Sequence, residues 1–225
     1  MNYVYDYPRP MVTVDMLLWR YREEKVEILL IRRDRPPFES QWALPGGFIR
    51  MDETLLESAK RELSEETGIK DVDLFSLTIA GNPERDPRGR TITALFTGFF
   101  TEPLVEVRAG DDAREAEWFR VDRLPRLAFD HAQLIREAIN ELAHRLYWQL
   151  WILMFFPSKI VLSDLKKIGR FFWNKVNGSE NILKVAEYLN LVRQDRSNSW
   201  KRTASNLQIV SLTAEDLIKA WQSAG

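Results

Sequence analysis

Three carboxylates crowd into five positions of the segment RELSEETG, which runs from Arg61 to Gly68. On a helix, Glu62, Glu65 and Glu66 stand at positions i, i+3 and i+4 and therefore share one face. Like charges at this spacing cost about 0.2–0.5 kcal/mol per pair on an exposed helix. Two interpretations are open: a solvated acidic face, or a site for a hard cation. Mg²⁺ and Mn²⁺ take oxygen ligands from a few carboxylates together with substrate phosphates.

The segment before these carboxylates favours the cation site. Pro45-Gly46-Gly47 is a loop whose backbone can approach a ligand closely, because glycine has no Cβ. The glycine and charged residues that follow have a defined spacing. The sequence reads Gly47, five residues, Glu53, seven residues, Arg61-Glu62-Leu63, one residue, Glu65-Glu66, one residue, Gly68-Ile69.

This order resembles the Nudix box, the signature of the Nudix hydrolases, and every specified position matches. The resemblance implies metal-dependent cleavage of a diphosphate that is linked to another moiety. It assigns the divalent metal, Mg²⁺ or Mn²⁺, to three box glutamates: Glu62, Glu65 and Glu66. Arg61 is expected to orient these glutamates and Glu53 to support the site, while Gly46 and Gly47 approach the substrate.

The general base of Nudix enzymes usually lies outside the box, and its position differs among subfamilies. The acidic candidates lie in the segment GDDAREAEWF: Asp111, Asp112, Glu115 and Glu117. We favour Glu115, because this segment resembles one found in ADP-ribose-type members. The alternative, that Glu115 only pairs with an arginine, stays open.

A second group of charges lies in RDPRGR, residues 85–90, which puts three arginines and a carboxylate in one loop. Guanidinium groups suit phosphate and ribose oxygens, although Asp-Pro and Arg-Gly are also ordinary turn residues. The loop resembles that of ADP-ribose pyrophosphatases and of their Nudix-type regulator relatives. That resemblance implies Arg85, Asp86 and Arg88 as substrate-binding residues.

The surrounding elements must hold this helix and these loops. Thr54 and Glu57 form a capping box in front of the acidic helix, and Gly68 is placed to end it. Asp130 with Gln133 is expected to begin a long helix. Strands are predicted over residues 11–19, 26–31, 42–44, 71–80, 91–100 and 116–121. Strands, helix, strands and helix predict an α/β sandwich over residues 1–145, in agreement with the α/β/α Nudix fold.

Residues 146–225 form a smaller, helix-rich part. Helices are predicted over residues 163–173 and 179–190, with a turn at Asn177-Gly178. A hairpin is then predicted between residues 191–194 and 207–212, with Trp200-Lys201-Arg202 at its tip, followed by a short helix from Thr213. Two helices joined by a tight turn and followed by a hairpin are the order of a winged helix-turn-helix.

Composition limits the classes of protein that this chain can be. It has 225 residues, of which 45% are hydrophobic, and this predicts a packed core. Its net charge of −1 argues against a protein that binds nucleic acid or a membrane over most of its surface. The absence of cysteine excludes disulfides and thiolate chemistry and is compatible with a cytoplasmic location. With only His131 and His144, a histidine-based metal cluster is not expected. The apolar run Leu150–Phe156 is too short to span a bilayer, which needs about 20 residues.

Three hypotheses for function follow. The first is a Mg²⁺-dependent Nudix hydrolase that cleaves ADP-ribose, or a related nucleoside diphosphate derivative, to AMP and ribose 5-phosphate. The second is a Nudix-related transcriptional regulator of NAD or sugar metabolism that senses an ADP-ribose-like ligand and binds DNA through residues 150–225. The third gives the C-terminal part a role only in oligomerisation, and we expect a homodimer.

Two features of the sequence bear on this choice. The intact box favours hydrolysis. The C-terminal charge favours DNA, because residues 150–225 carry 11 Lys and Arg against 6 Asp and Glu, a net charge of +5. The expected recognition helix weakens the DNA hypothesis, because it carries Lys184 as its single cation against Glu180 and Glu187.

Overall fold

The computed structural model describes most of the chain. The described residues are 5–100, 113–156, 159–173, 179–194 and 200–203, with 209, 217, 219, 220, 222 and 223. They group by contact into two units. The first takes in the described residues within 1–18, 28–98 and 105–137, and the second those within 19–27, 99–104 and 138–225. These units are defined by contacts between residues and do not test a domain boundary. The boundary between residues 145 and 146 that the sequence suggests therefore stays a prediction.

A seven-stranded sheet carries the site, and its strand order is β3-β2-β1-β6-β5, with β4 paired to β1 and β7 paired to β2. The seven strands are β1 (Met11–Arg22), β2 (Lys25–Arg33), β3 (Trp42–Ala43), β4 (Gly46–Phe48), β5 (Phe75–Ala80), β6 (Thr91–Phe99) and β7 (Ala113–Arg120). Residues 13–19 of β1 are all buried, as expected for a strand with neighbours on both edges. The predicted strands are confirmed, although the one predicted from residue 71 begins at Phe75, where pairing with β6 begins.

The acidic helix forms as the sequence predicts, as α1 (Leu55–Thr67). The Glu57 N–H donates to Thr54 Oγ1 at 3.2 Å, and the Thr54 N–H donates to Glu57 Oε2 at 2.8 Å, which completes the capping box. Gly68 ends the helix in the left-handed conformation, with φ of 73°. Ala59 and Leu63 are buried, so α1 packs through the side that carries them.

The remaining elements are mostly helical. They are α2 (His131–Trp148), β8 (Lys159–Ile160), α3 (Leu162–Trp173), α4 (Ser179–Tyr188), β9 (Val192–Gln194) and β10 (Trp200–Arg202). The mixed α/β class predicted for the chain is confirmed. Strands β8, β10 and β9 form a second sheet in that order.

The predicted C-terminal hairpin was wrong in its second strand. Residues 200–202, expected at the hairpin tip, form the strand β10 that pairs with β9, whereas Ile209 in the expected strand is helical. Trp200 and Arg202 are half-buried and Lys201 is exposed, which is the alternation of a strand despite the polar composition. The Asn177-Gly178 turn and Thr213 lie outside the described residues.

The apolar run at residues 150–156 is buried. Residues Trp151–Phe155 form a 3₁₀ helix, and Phe155 packs edge-on against Phe99 with ring centroids 4.9 Å apart. Among the described residues, no helix is both long enough and apolar enough to cross a membrane.

Candidate active site

Arg61 organises the acidic face of α1. Its Nε donates to Glu53 Oε1 at 2.8 Å, and its Nη1 donates to Glu62 Oε1 at 2.7 Å and to Glu65 Oε2 at 3.1 Å. Its Nη2 also donates to the Phe48 carbonyl oxygen at 3.1 Å. Hydrogen bonds between charged groups are about twice as strong as neutral ones. The geometry therefore suits the orienting role expected for Arg61.

Glu53 precedes helix α1 in the chain and accepts hydrogen bonds from Arg61. Besides the Arg61 contacts, it accepts a hydrogen bond from Ser58 Oγ at 2.8 Å. The hydrogen bonds from Arg61 hold the pKa of Glu53 low, at about 2. Glu53 is therefore ionised at neutral pH, and its role in supporting the site stays a prediction from the resemblance.

Glu66 contacts the backbone of Gly46, whereas Glu62 and Glu65 contact Arg61. Its side chain is buried, and its Oε2 accepts a hydrogen bond from the Gly46 N–H at 2.8 Å. Burial raises the pKa of Glu66 to about 8 despite that hydrogen bond, and the charges of Glu62 and Asp15 add to the rise. A cation at this point would favour the ionised form.

Gly46 and Gly47 allow β4 to lie close to its neighbours, β1 on one side and α1 on the other. A Cβ on Gly47 would lie 2.4–2.6 Å from the Glu62 carboxylate, and a Cβ on Gly46 would lie 2.3 Å from the Val14 carbonyl oxygen. Real Cβ atoms essentially never come so close. The acidic helix therefore touches the glycine strand, β4, at Gly47, whereas the close neighbour of Gly46 is the backbone of β1.

The predicted metal ligands share this region without converging on one point. Glu62 and Glu65 both bind Arg61, whereas Glu66 binds the backbone of Gly46. Over the described ranges, no three acidic or histidine side chains are arranged to hold a metal ion. The ligand types still fit a hard cation, because all are carboxylate oxygens and both Glu62 and Glu66 meet the glycine strand. A three-carboxylate metal site is therefore a proposal that requires these side chains to move.

A cavity of about 100 Å³ lies beside the glycine strand and is lined by twelve residues. All five predicted substrate-binding residues line it: Gly46, Gly47, Arg85, Asp86 and Arg88. The remaining lining residues are Thr13, Asp15, Arg33, Leu44, Phe48, Phe129 and His131. The sequence thus identified two of the segments that line this cavity, but not its other walls. The loop expected at Gly46-Gly47 was wrong, because Gly46–Phe48 forms strand β4, paired with β1.

The arginine loop contributes two guanidinium groups with acidic partners. Arg85 is buried and donates to both carboxylate oxygens of Asp130, at 3.0 and 3.1 Å. Arg88 donates to Asp86 at 2.7 Å, and its guanidinium carbon lies 4.8 Å from the centroid of the Phe48 ring. These pairs hold both cations in place at the cavity wall.

The capping role predicted for Asp130 is corrected by this arrangement. Its carboxylate binds Arg85, and the predicted capping partner Gln133 donates its side-chain amide to Glu137 at 2.8 Å. An ion pair between guanidinium and carboxylate outweighs a cap at this position, because Arg85 is buried and needs a counter-charge.

His131 and Asp15 form a buried polar pair that the sequence analysis missed. The Leu44 N–H donates to His131 Nδ1 at 3.0 Å, and burial lowers the pKa of His131, so the ring is neutral. Its Nε2 faces Asp15 Oδ1 at 3.6 Å, and Thr93 Oγ1 donates to Asp15 at 2.6 Å. The available signal was Asp15 itself, a lone carboxylate within the apolar strand MVTVDMLLW.

The favoured general base lies on β7, outside the set of cavity-lining residues. Glu115 accepts a hydrogen bond from Arg32 Nη1 at 3.1 Å, which is the arginine pairing named as the alternative. Glu117 is exposed on the same strand. Asp111 and Asp112 lie outside the described residues. The assignment of the base therefore stays a prediction.

Comparison with known proteins connects this geometry to a family. Residues 9–139 match the NUDIX domain model. Over 131 residues the chain is 42% identical to the ADP-ribose pyrophosphatase of Methanocaldococcus jannaschii, a match that covers 58% of this chain and 74% of that protein.

Two further relatives are regulators. Over 167 residues the chain is 33% identical to the ADPR responsive transcriptional repressor NtrR of Acinetobacter baylyi, covering 72% of this chain and 66% of that protein. The crystal structure of Shewanella oneidensis NrtR complexed with a 27mer DNA superposes with a TM-score of 0.67 at 26% identity. That superposition covers 85% of this chain and 91% of the other, so it extends beyond the NUDIX domain.

Proposed function

The chain belongs to the Nudix family, and we propose that it is a divalent-metal-dependent hydrolase of ADP-ribose or a closely related nucleoside diphosphate derivative. One observation carries the proposal. The carboxylates of Glu62 and Glu66 meet the glycine strand at the edge of the same cavity that Arg85 and Arg88 line. Cation ligands and phosphate-binding groups are therefore adjacent. The products would be AMP and ribose 5-phosphate.

The residues of the chain divide the work between binding and orientation. Arg85 and Arg88 offset the negative charge of the diphosphate, and the backbone of Gly46 and Gly47 allows it to approach α1. Arg61, held by Glu53, keeps the acidic face aligned. A divalent metal, with Mg²⁺ as our proposal, would be held by the box glutamates and would neutralise the phosphate oxygens and acidify the attacking water.

Competition kinetics test the substrate class. Purified protein with Mg²⁺ is given ADP-ribose together with a nucleoside triphosphate, and the two rates of cleavage are followed in one mixture. We expect ADP-ribose to be preferred, because the arginine loop resembles that of ADP-ribose pyrophosphatases. A clear preference for the triphosphate would overturn this assignment.

A second candidate function is DNA binding by the C-terminal part, as a winged helix. It is favoured by the likeness to the DNA-bound NrtR structure, which extends past residue 139. Lys201 and Arg193 are exposed cross-strand partners on β10 and β9, so they point to the same side of the small sheet. Lys184 is exposed on α4. Arg202 donates to the Leu153 carbonyl oxygen at 3.3 Å, so it is the weaker candidate for a DNA contact.

Fluorescence anisotropy with DNA fragments from upstream of its own operon tests this second function. Binding should weaken as salt rises, because phosphate contacts dominate affinity. Lys201→Gln and Arg193→Gln should each reduce the affinity and the salt dependence. The absence of salt-sensitive binding at micromolar protein would leave the C-terminal part as an oligomerisation element. A homodimer and a cytoplasmic location remain proposals from the sequence.

A further inference from the structure

Arg33 is a cavity-lining cation that differs from its neighbours. It ends β2, its Nε donates to the Pro37 carbonyl oxygen at 2.9 Å, and its Nη2 donates to the Arg35 carbonyl oxygen at 3.2 Å. Within the described part of the chain, Arg33 forms no ion pair and its Nη1 has no hydrogen-bond partner. The cavity arginines Arg85 and Arg88, by contrast, each bind a carboxylate.

Arg33 is half-buried beside a second cation and an aromatic ring. Its guanidinium carbon lies 4.8 Å from the centroid of the Phe129 ring, and that of Arg88 lies 5.4 Å from the same centroid. Burial lowers the pKa of Arg33, and the nearby charge of Arg88 lowers it further. The charges of Glu66, Asp86 and Asp15 offset part of this effect, but none of these carboxylates forms an ion pair with Arg33, so an anionic ligand in this cavity would stabilise the guanidinium directly.

A second group in the cavity also lacks a partner. Thr13 is buried and lines the same cavity, and its Oγ1 makes no hydrogen bond. Among the described residues it is the one buried side-chain polar atom in this condition. Buried polar groups are nearly always hydrogen-bonded in native proteins. Across the residues that the structure describes, the Thr13 hydroxyl makes no hydrogen bond and the Arg33 guanidinium forms no ion pair, and both groups line one cavity. Both therefore indicate a ligand with oxygen atoms.

Phe129 gives this end of the cavity a fixed wall. Its backbone has φ of 52°, a left-handed conformation that is uncommon for a non-glycine residue. Its ring packs edge-on against Phe38 with centroids 4.8 Å apart. Strain of this kind persists where surrounding contacts enforce it, and it concentrates at ligand sites. The Phe129 ring, against which the guanidinium groups of Arg33 and Arg88 lie, is therefore held in place before a ligand enters.

We propose that Arg33 is a substrate-binding residue that donates from Nη1 to an anionic oxygen of the diphosphate, with the Thr13 hydroxyl hydrogen-bonded to the same ligand. The proposal rests on the proposed function, because it names a further contact for the same substrate. It assigns to β1 and β2 a binding role that the sequence pattern gave only to the glycine and arginine loops. Arg33 acts on substrate affinity and not on the chemical step.

The test compares Arg33→Gln, Arg33→Lys and Thr13→Val with wild type. KM and kcat for ADP-ribose are measured with Mg²⁺, and affinity for inorganic diphosphate is measured by calorimetry in metal-free buffer. Arg33→Gln should raise both KM and the diphosphate Kd by about 10- to 100-fold with little change in kcat, as expected for loss of a charged hydrogen bond. Arg33→Lys should recover part of the affinity.

One control variant and one measurement of stability separate an effect on binding from an effect on folding. Arg126→Gln removes the same charge from an exposed arginine that does not line the cavity, so it should leave KM and Kd unchanged. Thr13→Val removes a hydroxyl that has no partner in the protein, so it should keep thermal stability while weakening diphosphate binding.

The outcomes distinguish this proposal from the proposed function. If wild type cleaves ADP-ribose but Arg33→Gln and Thr13→Val bind diphosphate as wild type does, the assignment of Arg33 is wrong and the hydrolase stands. If wild type does not cleave ADP-ribose but diphosphate binding depends on Arg33, the anion site stands and the proposed substrate is wrong.

Discussion

At the scale of single residues, the acidic face of α1 contains carboxylates in two different settings. Glu62 and Glu65 are held by Arg61, whereas Glu66 is buried against Gly46 with a raised pKa. The sequence predicted that these carboxylates share a face. The sequence could not predict which carboxylates bind Arg61 and which one is buried against Gly46, because that depends on how closely β4 approaches the helix.

Glu66→Gln and Glu65→Gln should each leave a folded protein and reduce Mg²⁺-dependent turnover by orders of magnitude, because metal charge at the phosphoryl centre is lost. Metal-free stability should be unchanged or raised in Glu66→Gln, since a buried carboxylate near Glu62 is removed, whereas Glu65→Gln loses a partly exposed ion pair with Arg61 and should lose at most about 1 kcal/mol. Glu187→Gln, on the exposed side of α4, is the matched control. Steady-state kinetics and thermal unfolding measure the two effects. Variants that turn over like wild type would rule out these ligands.

His131→Asn should remove one contribution to the pH dependence of stability, the loss on acidification that His131 causes, while the opposite contribution from the raised pKa of Glu66 remains. The folded pKa of His131 is lowered by burial, so the unfolded chain binds a proton first as pH falls below about 6.5, and the native state loses stability there. The loss should be about 1 kcal/mol per pH unit until the folded pKa is reached. Asparagine can still accept from the Leu44 N–H without titrating.

Urea unfolding of metal-free protein between pH 5 and pH 7 checks this effect. His144→Asn, which changes an exposed histidine on α2, should keep the wild-type slope. An unchanged slope in His131→Asn would show that another group controls the acid dependence.

At the scale of elements, contact between β4 and α1 determines how close the carboxylates come to the cavity. Gly47→Ala would place a Cβ against the flexible end of Glu62, so it should cost activity more than stability. Gly46→Ala would collide with the Val14 backbone and should destabilise by about 1–3 kcal/mol. Gly81→Ala is the control, because its Cβ would meet nothing closer than 3.6 Å. Equal effects of all three on turnover would contradict this account.

Local signals decided which elements could be predicted from sequence. The capping box at Thr54 and the glycine at residue 68 placed both ends of α1, because both signals act within one helical turn. Strand β10 was missed because its residues are polar and aromatic, and its strand character comes from pairing with β8 and β9. Pairing between distant segments leaves no periodic signal in so short a strand.

The cavity shows the same limit at a larger scale. Its glycine strand and arginine loop were identified from contiguous motifs, whereas Thr13, Arg33 and Phe129 come from segments that only the fold brings together. Arg33 follows an apolar strand in the sequence, and nothing local shows that its side chain lacks a counter-charge.

At the scale of the whole molecule, the two proposed activities predict a thermodynamic link. If the C-terminal part binds DNA and the Nudix domain binds ADP-ribose, each ligand should change the affinity for the other by the same factor. Anisotropy titrations of DNA with and without ADP-ribose, and calorimetry of ADP-ribose with and without DNA, measure the two factors. Metal is omitted so that the nucleotide is not consumed. DNA binding that ADP-ribose does not alter would separate the two functions.

Hydrolysis of a nucleoside diphosphate derivative is tested by analysis of its products. Wild-type protein is incubated with ADP-ribose and Mg²⁺, and AMP and ribose 5-phosphate are quantified over time beside Glu66→Gln and a chelated sample. We expect wild type alone to form the two products in equal amounts, at a rate that depends on the metal. Intact ADP-ribose after incubation with saturating metal, or product formation that survives both chelation and Glu66→Gln, would contradict it.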